Sequence, residues 1–385
     1  MIEVSSTVHQ PSVSSVAFLL PSIGVGGQER MTLKMTEELL TRGFEAEILV
    51  CRVMPDRPEW VREGDRVTSL AAPTTLRAIP RLARRLQDSD FDWLVPISTQ
   101  ATVVAVEARR RSSSRVRIAA SVRNFVDEPY GSAWRHPRRW VRSQVVDRLL
   151  GPRALRRADE VMAVSADLAS ALIPKVRRAG GTVHHVRNPA CPERVPEASS
   201  WQEIDARLGF LEGSDVAIAV GRLVPAKGID VLLAALVLEP RLSSTHLLIV
   251  GDGPERATLE RRTMASGLRG RVHFMGSIPD PLPYIQAAGV LVAPSRFEGF
   301  GNVLVEALAV GTNVVSSLCR GGPKEILSNG EHGWLVPPED PHALAVAIAD
   351  AFAAPVPAEK LTAAARRYSS AAAVDDLLAV LESHP

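Results

Sequence analysis

Short apolar runs alternate with longer amphipathic stretches along most of the chain. A helical pattern at residues 29–42, ending at Gly43, follows the first apolar run after a glycine-containing loop. Short buried strands separated by helices are typical of βαβ units and of a parallel sheet covered on both faces. Five runs in the first half have the length of a β-strand: residues 16–20, 47–51, 93–97, 117–122 and 160–164.

The alternation of strand-like and helix-like stretches restarts after a proline-rich segment at 187–200, RNPACPERVPEASS. This segment is the best linker candidate, because proline removes a backbone donor and disfavours helix. We therefore predict an α/β protein with two doubly wound domains, residues 1–190 and 191–362, and a ligand cleft at the carboxyl ends of their strands. A helix within 363–385 is expected to pack back towards the first domain. The second half predicts strands at 216–220, 246–250, 272–275, 290–293 and 313–316, and helices at 229–238, 254–266, 282–287 and 303–310.

Composition is that of a soluble globular protein, with 46% hydrophobic and 23% charged residues. No apolar run approaches the roughly 18 to 20 residues that span a bilayer, and the N-terminus has no basic segment of the kind that opens a secretory signal. Cys51, Cys191 and Cys319 lie far apart, which argues against a zinc site or a disulfide framework and favours a reducing cytoplasm.

The formal net charge is only +2, but the two halves differ in sign. Residues 1–190 hold 29 Lys and Arg against 20 Asp and Glu, whereas residues 191–385 hold 16 against 23. A basic half joined to an acidic half indicates that the first half meets an anionic partner, although a solvated charged surface is the alternative.

Two loops that follow predicted strands carry groups suited to an anion. The first contains three glycines, including Gly26 and Gly27, ahead of a helix whose free N–H groups can face an anion; a plain tight turn fits equally well. The second, at 221–228, carries Arg222 and Lys227. A guanidinium and an ammonium at one strand end suit a diphosphate, while two solvated cations are the alternative.

The segment at 295–311, SRFEGFGNVLVEALAVG, places two glutamates around a glycine turn. Glu298 lies in the loop before a predicted helix, and Glu306 lies about one turn inside it. Gly299 and Gly301 let the backbone approach a ligand closely. A carboxylate accepts hydrogen bonds from neighbouring hydroxyls, so both glutamates can border a sugar; the alternative is a capping glutamate and a surface glutamate.

In combination these segments resemble the retaining glycosyltransferases of family 4, which have the GT-B fold. GRLVPAKG at 221–228 and FEGFGNVLVE at 297–306 carry the resemblance, and the two glutamates match that family's E-x7-E motif. Further matching pieces are spread over nearly the full length: GVGGQE, AVSADL, VRNP, VGDGPER, and the stretch from GGPKEIL to GWLVP.

The resemblance implies a role for each matching residue. Arg222 and Lys227 would bind the donor diphosphate and stabilise the leaving nucleotide. Glu306 would take the ribose hydroxyls, Glu298 would contact the transferred sugar, and the base would lie near 276–283. The backbone contacts to the donor are expected from Gly299, Phe300, Gly301 and Asn302, with Gly26 and Gly27 facing them across the cleft.

One departure from the family concerns the first domain, where some relatives place a histidine close to the reacting sugar. The comparable stretch here reads ASVRNF at 120–125, so that Arg123 or Asn124 occupies the position. This departure argues against a histidine-assisted mechanism, and it places Arg123 and Asn124 on the acceptor side.

An arginine-rich stretch at 134–157 includes Trp134 and Trp140. Tryptophans among arginines suit anionic lipid head groups, where each basic side chain contributes about 1 kcal/mol; a solvated helix face is the alternative. No nucleic-acid motif accompanies the stretch, so a nucleic-acid partner is not expected. Since the family often acts on lipid-linked acceptors, we expect a cytoplasmic protein that associates peripherally with the inner face of the plasma membrane.

The function that follows is transfer of a hexose or N-acetylhexosamine, with retention, from a nucleotide-diphosphate sugar to a glycan or lipid-linked acceptor in cell-surface glycan synthesis. UDP is favoured over GDP as the nucleotide. No cofactor is expected beyond this co-substrate, and no metal, because Arg222 and Lys227 can neutralise the phosphates. A nucleotide-sugar epimerase of the same fold and a non-catalytic nucleotide-sugar binding module are the alternatives.

Overall fold

The computed structural model describes residues 13–23, 27–53, 66–125, 149–176, 182–197 and 199–383. Two parallel sheets are present in these residues, and the predicted two doubly wound α/β domains are confirmed. The first sheet is built from β1 (Ser15–Ile23), β2 (Glu45–Val53), β3 (Val67–Ser69), β4 (Trp93–Pro96), β5 (Arg117–Val122), β6 (Glu160–Ala163) and β7 (Val183–His185). The second is built from β8 (Val216–Val220), β9 (His246–Val250), β10 (Val272–Gly276), β11 (Val290–Ala293), β12 (Asn313–Ser317) and β13 (Trp334–Val336).

The α-helices of the described residues fall between and after these strands. Those that accompany the first sheet are α1 (Gly27–Thr41), α2 (Ile79–Gln87), α3 (Thr99–Ser112), α4 (Gly151–Leu155) and α5 (Ala166–Val176). Those that follow are α6 (Trp201–Ile204), α7 (Ile229–Leu238), α8 (Arg256–Ala265), α9 (Leu282–Ala287), α10 (Asn302–Ala309), α11 (Pro323–Ile326), α12 (Pro341–Ala353), α13 (Ala358–Ala365) and α14 (Ser370–Glu382).

Each sheet reverses its winding direction at its centre. The strand order is β3-β2-β1-β4-β5-β6-β7 in the first sheet and β10-β9-β8-β11-β12-β13 in the second. In the second sheet β8 therefore lies beside β11, while the chain leaves these two strands in opposite directions. Such a reversal opens a crevice at the carboxyl ends of the two strands, where ligands bind in folds of this kind.

The central strand β1 is buried on both faces, which explains its uninterrupted apolar sequence. Val16 and Phe18 pack in a cluster with residues of α1 and α14, whereas Ala17 and Leu19 pack in a cluster with residues of α2 and α3. A strand covered on both sides has no solvent face, so its residues do not alternate between apolar and polar.

The last helix, α14, packs on the first sheet rather than on the second. Val374 and Leu377 belong to the same buried cluster as Phe18 of β1. Arg187, just after β7, holds α14 through two bonds to the Asp376 carboxylate, of 2.6 and 2.7 Å. No single helix in the described ranges is long and apolar enough to cross a membrane. One pair of segments, α12 and residues 358–382, has the length and composition of a membrane span when taken together, but the two are bent by 115° relative to each other.

Three short edge strands were absent from the sequence prediction. β3, β7 and β13 are three residues long and are mostly exposed or half-buried, so they lack the apolar run that marks the central strands. Helix boundaries also moved: the helix predicted at 254–266 is α8, which begins at Arg256 after a turn.

Candidate functional site

A crevice between β8 and β11 is lined by Gly221, Lys227, Ser295 and Glu298. Lys227 ends a single 3-10 turn, Pro225–Lys227, that follows β8. Ser295 and Glu298 lie in the loop between β11 and α10. The reversal of winding thus brings together two loops that are about 70 residues apart in sequence.

Lys227 and Glu298 form the centre of this crevice. The Nζ of Lys227 donates to Oε1 of Glu298 at 2.5 Å, and the Ser295 hydroxyl donates to the same oxygen at 2.7 Å. The Glu298 side chain is 13% exposed and that of Lys227 is 28% exposed. A charge-assisted pair in a partly desolvated crevice is held in a defined geometry, so both groups are oriented before a ligand arrives.

Arg222 differs from Lys227 because its guanidinium has no partner among the described residues. The side chain is exposed, and it makes no ion pair or hydrogen bond with any described residue. It lies on the same loop after β8, five residues before Lys227. Its donors can therefore turn to an anionic ligand in the crevice without breaking an existing contact.

The loop that carries Glu298 is packed tightly against the first domain. A Cβ added at Gly299 would lie 2.0 Å from the Arg123 carbonyl oxygen and 2.5 Å from Oδ1 of Asn124. In addition, the Ser165 hydroxyl donates to the Gly299 carbonyl at 3.1 Å. Only glycine permits this approach, and it places Arg123 and Asn124 beside the residues expected to bind the donor.

Arg123 itself is buried at this boundary. Its Nη1 donates to Oδ1 of Asn188, and Nδ2 of Asn188 donates to Oδ1 of Asn302 at 2.7 Å. Burial lowers the pKa of Arg123 to about 10, and the carboxylate of Glu29 partly opposes that shift. A chain of polar side chains therefore runs from the first domain to the first residue of α10.

Two family models match consecutive parts of the chain. The model described as "Glycosyl transferase 4-like domain" matches residues 26–189, and the one described as "Glycosyl transferases group 1" matches residues 201–368. A phosphatidyl-myo-inositol mannosyltransferase of Mycobacterium leprae is 38% identical over 386 residues, covering 93% of each chain. The chain belongs to the family 4 glycosyltransferases.

Other relatives of this glycosyltransferase match over shorter regions. The lipopolysaccharide core biosynthesis glycosyltransferase LpsE of Rhizobium meliloti is 36% identical over 143 residues, which are 37% of this chain and 41% of LpsE. A GDP-mannose-dependent mannosyltransferase of Mycolicibacterium smegmatis, which acts on phosphatidylinositol monomannoside, is 37% identical over 46% of this chain and 48% of its own. This chain thus matches less than half the length of these two relatives.

Solved structures agree with the GT-B fold. HepE of Anabaena, in complex with UDP and glucose, superposes with a TM-score of 0.76 at 22% identity, covering 96% of this chain and 100% of its own. The lipopolysaccharide outer core galactosyltransferase WaaB superposes with a TM-score of 0.73 at 19% identity, over 96% and 100% of the two chains. The fold that the motifs imply for this glycosyltransferase is therefore confirmed.

Glu306 lies one turn inside α10, half-buried, and its side-chain carboxylate makes no hydrogen bond with a described residue. Burial raises the pKa of its carboxyl group, and the charges of Lys34 and Arg30 oppose that rise. A half-buried carboxylate with open acceptor positions is suited to two neighbouring hydroxyls.

Arg30 and Lys34, which the sequence reasoning missed, line the first-domain side of this region. Nη2 of Arg30 donates to the carbonyl of Pro279 at 2.6 Å, and Nζ of Lys34 donates to the carbonyl of Cys191 at 3.0 Å. Burial lowers the pKa of Lys34, while the charge of Glu306 raises it. Their four-residue spacing on the helix after the glycine loop is the signal that could have drawn attention to them.

The remaining predicted residues lie in three different places: at the site, in the hydrophobic core, or outside the described residues. Gly26 lies outside the described residues, whereas Gly27 begins α1 so close to Asn302 that an added Cβ would be 3.0 Å from its Nδ2. Phe300 is buried against Tyr368, with ring centroids 5.3 Å apart. Only the backbone of Phe300 is therefore placed to meet a donor.

The arginine-rich stretch is described only in part, since residues 126–148 lie outside the described residues. At its described end, Leu149 and Leu150 are exposed, at 56% and 40%, beside the exposed Arg153 and Arg156. Ile173 on α5 is exposed as well. Arg156 reaches the same helix, donating to the Lys175 carbonyl at 3.5 Å, so apolar and basic side chains share this surface.

Proposed function

We propose that the protein transfers a hexose or N-acetylhexosamine from a nucleotide-diphosphate sugar to a glycan or lipid-linked acceptor, with retention at the anomeric carbon. The observation that carries the proposal is the crevice between β8 and β11, where Lys227 pairs with Glu298 while the nearby Arg222 has no partner among the described residues. The cations would stabilise the leaving diphosphate, and the adjacent carboxylate would accept hydrogen bonds from the sugar that is transferred.

Departure of the nucleotide diphosphate leaves positive character on the sugar and negative charge on the phosphate. Arg222 provides a bidentate donor to that phosphate, and Lys227 provides a point charge. The N-terminus of α10 adds free backbone N–H groups. As Lys227 turns to the phosphate, Glu298 is released to accept hydrogen bonds from the sugar hydroxyls. Retention follows from same-face attack of the acceptor, which is the family's usual proposal, and no covalent nucleophile is assigned.

Glu306 is proposed to accept hydrogen bonds from the ribose hydroxyls, since it is half-buried with open acceptor positions.

UDP is proposed in preference to GDP. The HepE structure contains UDP, whereas the M. smegmatis relative is GDP-mannose-dependent. Both nucleotides therefore belong in the test.

Because Arg222 and Lys227 can neutralise the charge of the diphosphate, we propose a reaction without a metal ion. Activity should therefore persist in the presence of EDTA.

Association with an anionic membrane surface is proposed for the surface formed by Leu149, Leu150, Arg153, Arg156 and Ile173. Exposed aliphatic side chains beside arginines suit the boundary between head groups and acyl chains. A lipid-linked acceptor would be presented at that boundary. The protein would then act at the cytoplasmic face of the membrane.

The function is tested by incubating the purified protein with labelled UDP- and GDP-sugars and a membrane extract. Label that appears in lipid or glycan with one donor supports transfer, and the anomeric configuration of the product reports retention. An altered free donor would indicate an epimerase, and tight binding without turnover would indicate a binding module. Lys227→Ala serves as the matched inactive control.

A further inference from the structure

Arg123 is a buried cation with an incomplete set of partners. The residue is 7% exposed, and Nη1 donates to the neutral carbonyl of Asn188. Nε has no acceptor, and Nη2 makes no hydrogen bond with a described residue. Arg123 also forms no ion pair with any carboxylate in the described ranges. A buried charge without an ionic partner is costly, and ionisable groups in such surroundings cluster at functional sites.

The surroundings of Arg123 favour an anion. The N-termini of α1 and α10 meet here, because Gly27 lies against the Asn302 side chain that Asn188 also contacts. Each N-terminus presents positive partial charge. The carboxylate whose charge acts on Arg123 is that of Glu29, and burial raises the pKa of its carboxyl group. The guanidinium and the two helix N-termini give this region positive character, which Glu29 partly offsets.

The Nε–Nη2 edge of the guanidinium has a specific shape. With Nη1 bound to Asn188, Nε has no acceptor and Nη2 has none among the described residues, and their N–H groups point in the same direction. This pair is the edge that grips two oxygens of a carboxylate or phosphate at once. Asn188 fixes the opposite side of the guanidinium, and Nε is buried, so a ligand reaches this edge only when neighbouring groups shift.

We infer that Arg123 binds an oxyanion, a phosphate or a carboxylate, carried by a substrate next to the transferred sugar. This anion is distinct from the donor diphosphate, which is assigned to Arg222 and Lys227 in the other domain. The inference rests on the proposed function for the identity of the molecule that carries the oxyanion. That molecule is either a donor with an acidic sugar, such as a uronic acid, or an acceptor with a phosphate group close to its reacting hydroxyl.

The first experiment measures binding alone. Inorganic phosphate is titrated by calorimetry into the full chain carrying Arg222→Ala and Lys227→Ala, which removes the assigned diphosphate site. Adding Arg123→Gln to this variant should weaken the remaining phosphate affinity about tenfold to 100-fold, the range expected for hydrogen bonds to a charged group. The phosphate affinity of the Arg123→Lys variant should be intermediate, because lysine keeps the positive charge but lacks the two parallel N–H donors of the guanidinium. Arg261→Gln, on the exposed surface of the other domain, should change nothing.

The second experiment identifies the source of the oxyanion. UDP-glucuronic acid is compared with UDP-glucose, and glucose 6-phosphate with glucose in the presence of UDP, for binding to wild type and to Arg123→Gln. If wild type, but not Arg123→Gln, prefers UDP-glucuronic acid to UDP-glucose, the donor carries the oxyanion. If the same holds for glucose 6-phosphate over glucose, the acceptor carries it. Melting curves for each variant confirm folding, and Arg123→Met provides a second neutral replacement if Arg123→Gln melts early.

Two results would overturn the inference. One is an unchanged phosphate affinity when Arg123 is replaced in the diphosphate-site variant. The other is the absence of any Arg123-dependent preference in both pairs. A failure of the proposed function looks different: no nucleotide sugar is consumed, while phosphate binding still depends on Arg123.

Discussion

The ammonium of Lys227 lies 2.5 Å from Oε1 of Glu298, so the cation expected to meet the leaving diphosphate is paired with the carboxylate expected to meet the sugar. The Ser295 hydroxyl donates to the same carboxylate oxygen. In the unliganded protein each charge therefore stabilises the other. Under the proposed mechanism, donor binding would separate the two groups and give each a new partner, which would link recognition of the phosphate to recognition of the sugar.

Replacing Lys227 by alanine should lower kcat by about 100- to 1000-fold, the range seen when one electrostatic donor to a transition state is removed. Glu298 then loses its cationic partner and carries an unbalanced charge into the crevice. Steady-state transfer kinetics check this outcome. Lys227→Arg is the matched control, since it keeps the positive charge and should retain part of the rate. Near wild-type turnover by the alanine variant would remove Lys227 from the mechanism.

A methyl group at position 299 should disrupt the contact between the domains. The new Cβ of Gly299→Ala would lie 2.0 Å from the Arg123 carbonyl oxygen, so the backbone must shift. We expect a loss of about 1–3 kcal/mol in the free energy of unfolding, as for other overpacked sites, together with weaker donor binding. Denaturant melts and donor titration measure the two effects. Gly209→Ala is the control, because its Cβ would meet Gln202 at an ordinary 3.5 Å; equal losses at both positions would contradict the argument.

The pair formed by His185 and Glu325, at 3.3 Å across the domain boundary, should make stability depend on pH. The hydrogen bond that the His185 ring donates to the Glu325 carboxylate raises the pKa of His185; Asp376 adds to that rise, and burial and Arg187 oppose it. A raised folded-state pKa means that the contribution is complete below about pH 6.5, the usual value for histidine, and is lost as the pH rises through the raised value.

Wild type should therefore exceed His185→Gln in free energy of unfolding by more at pH 5.5 than at pH 8.5. The pair is partly exposed, so we expect a difference below about 1 kcal/mol. Denaturant melts at the two pH values provide the measurement, and His342→Gln, at an exposed position on α12, provides the control. A difference that grows with pH would reverse the sign and refute the assignment.

Charge reversal on the basic and apolar surface should release the protein from membranes. Arg153→Glu with Arg156→Glu removes two attractions and adds two repulsions, each basic residue contributing about 1 kcal/mol near an anionic surface. Flotation with vesicles of anionic and of neutral lipid measures the effect. Arg261→Glu with Arg269→Glu makes the same charge change on exposed positions of the other domain. If both double variants stay bound equally, the contact lies elsewhere on the chain.

The sequence predicted those parts of the molecule that are governed by local patterns. Continuous apolar runs such as Val216–Val220 located the central strands, because a strand buried on both faces cannot alternate. The loops after β8 and β11 were located by their glycines and charges, and their meeting followed from the rule for reversed winding in α/β sheets.

What the sequence could not predict depends on contacts between distant residues. The bond between Asn188 and Asn302 joins side chains 114 residues apart, and nothing in either segment indicates that the two asparagines meet. Arg123 was placed on the acceptor side by resemblance, but its burial and the lack of an acceptor for Nε are visible only in three dimensions. The edge strands β3, β7 and β13 were missed because they have little buried surface.

The position of α14 has a consequence for how the protein is made. Val374 and Leu377 complete the cluster around Phe18 of β1, so the earliest strand to be synthesised acquires part of its cover from residues synthesised some 350 positions later. During translation the part of this apolar face that α14 covers is therefore without that cover until the last helix has been synthesised. The second domain, whose strands lie between residues 216 and 336, can finish folding before the first domain does.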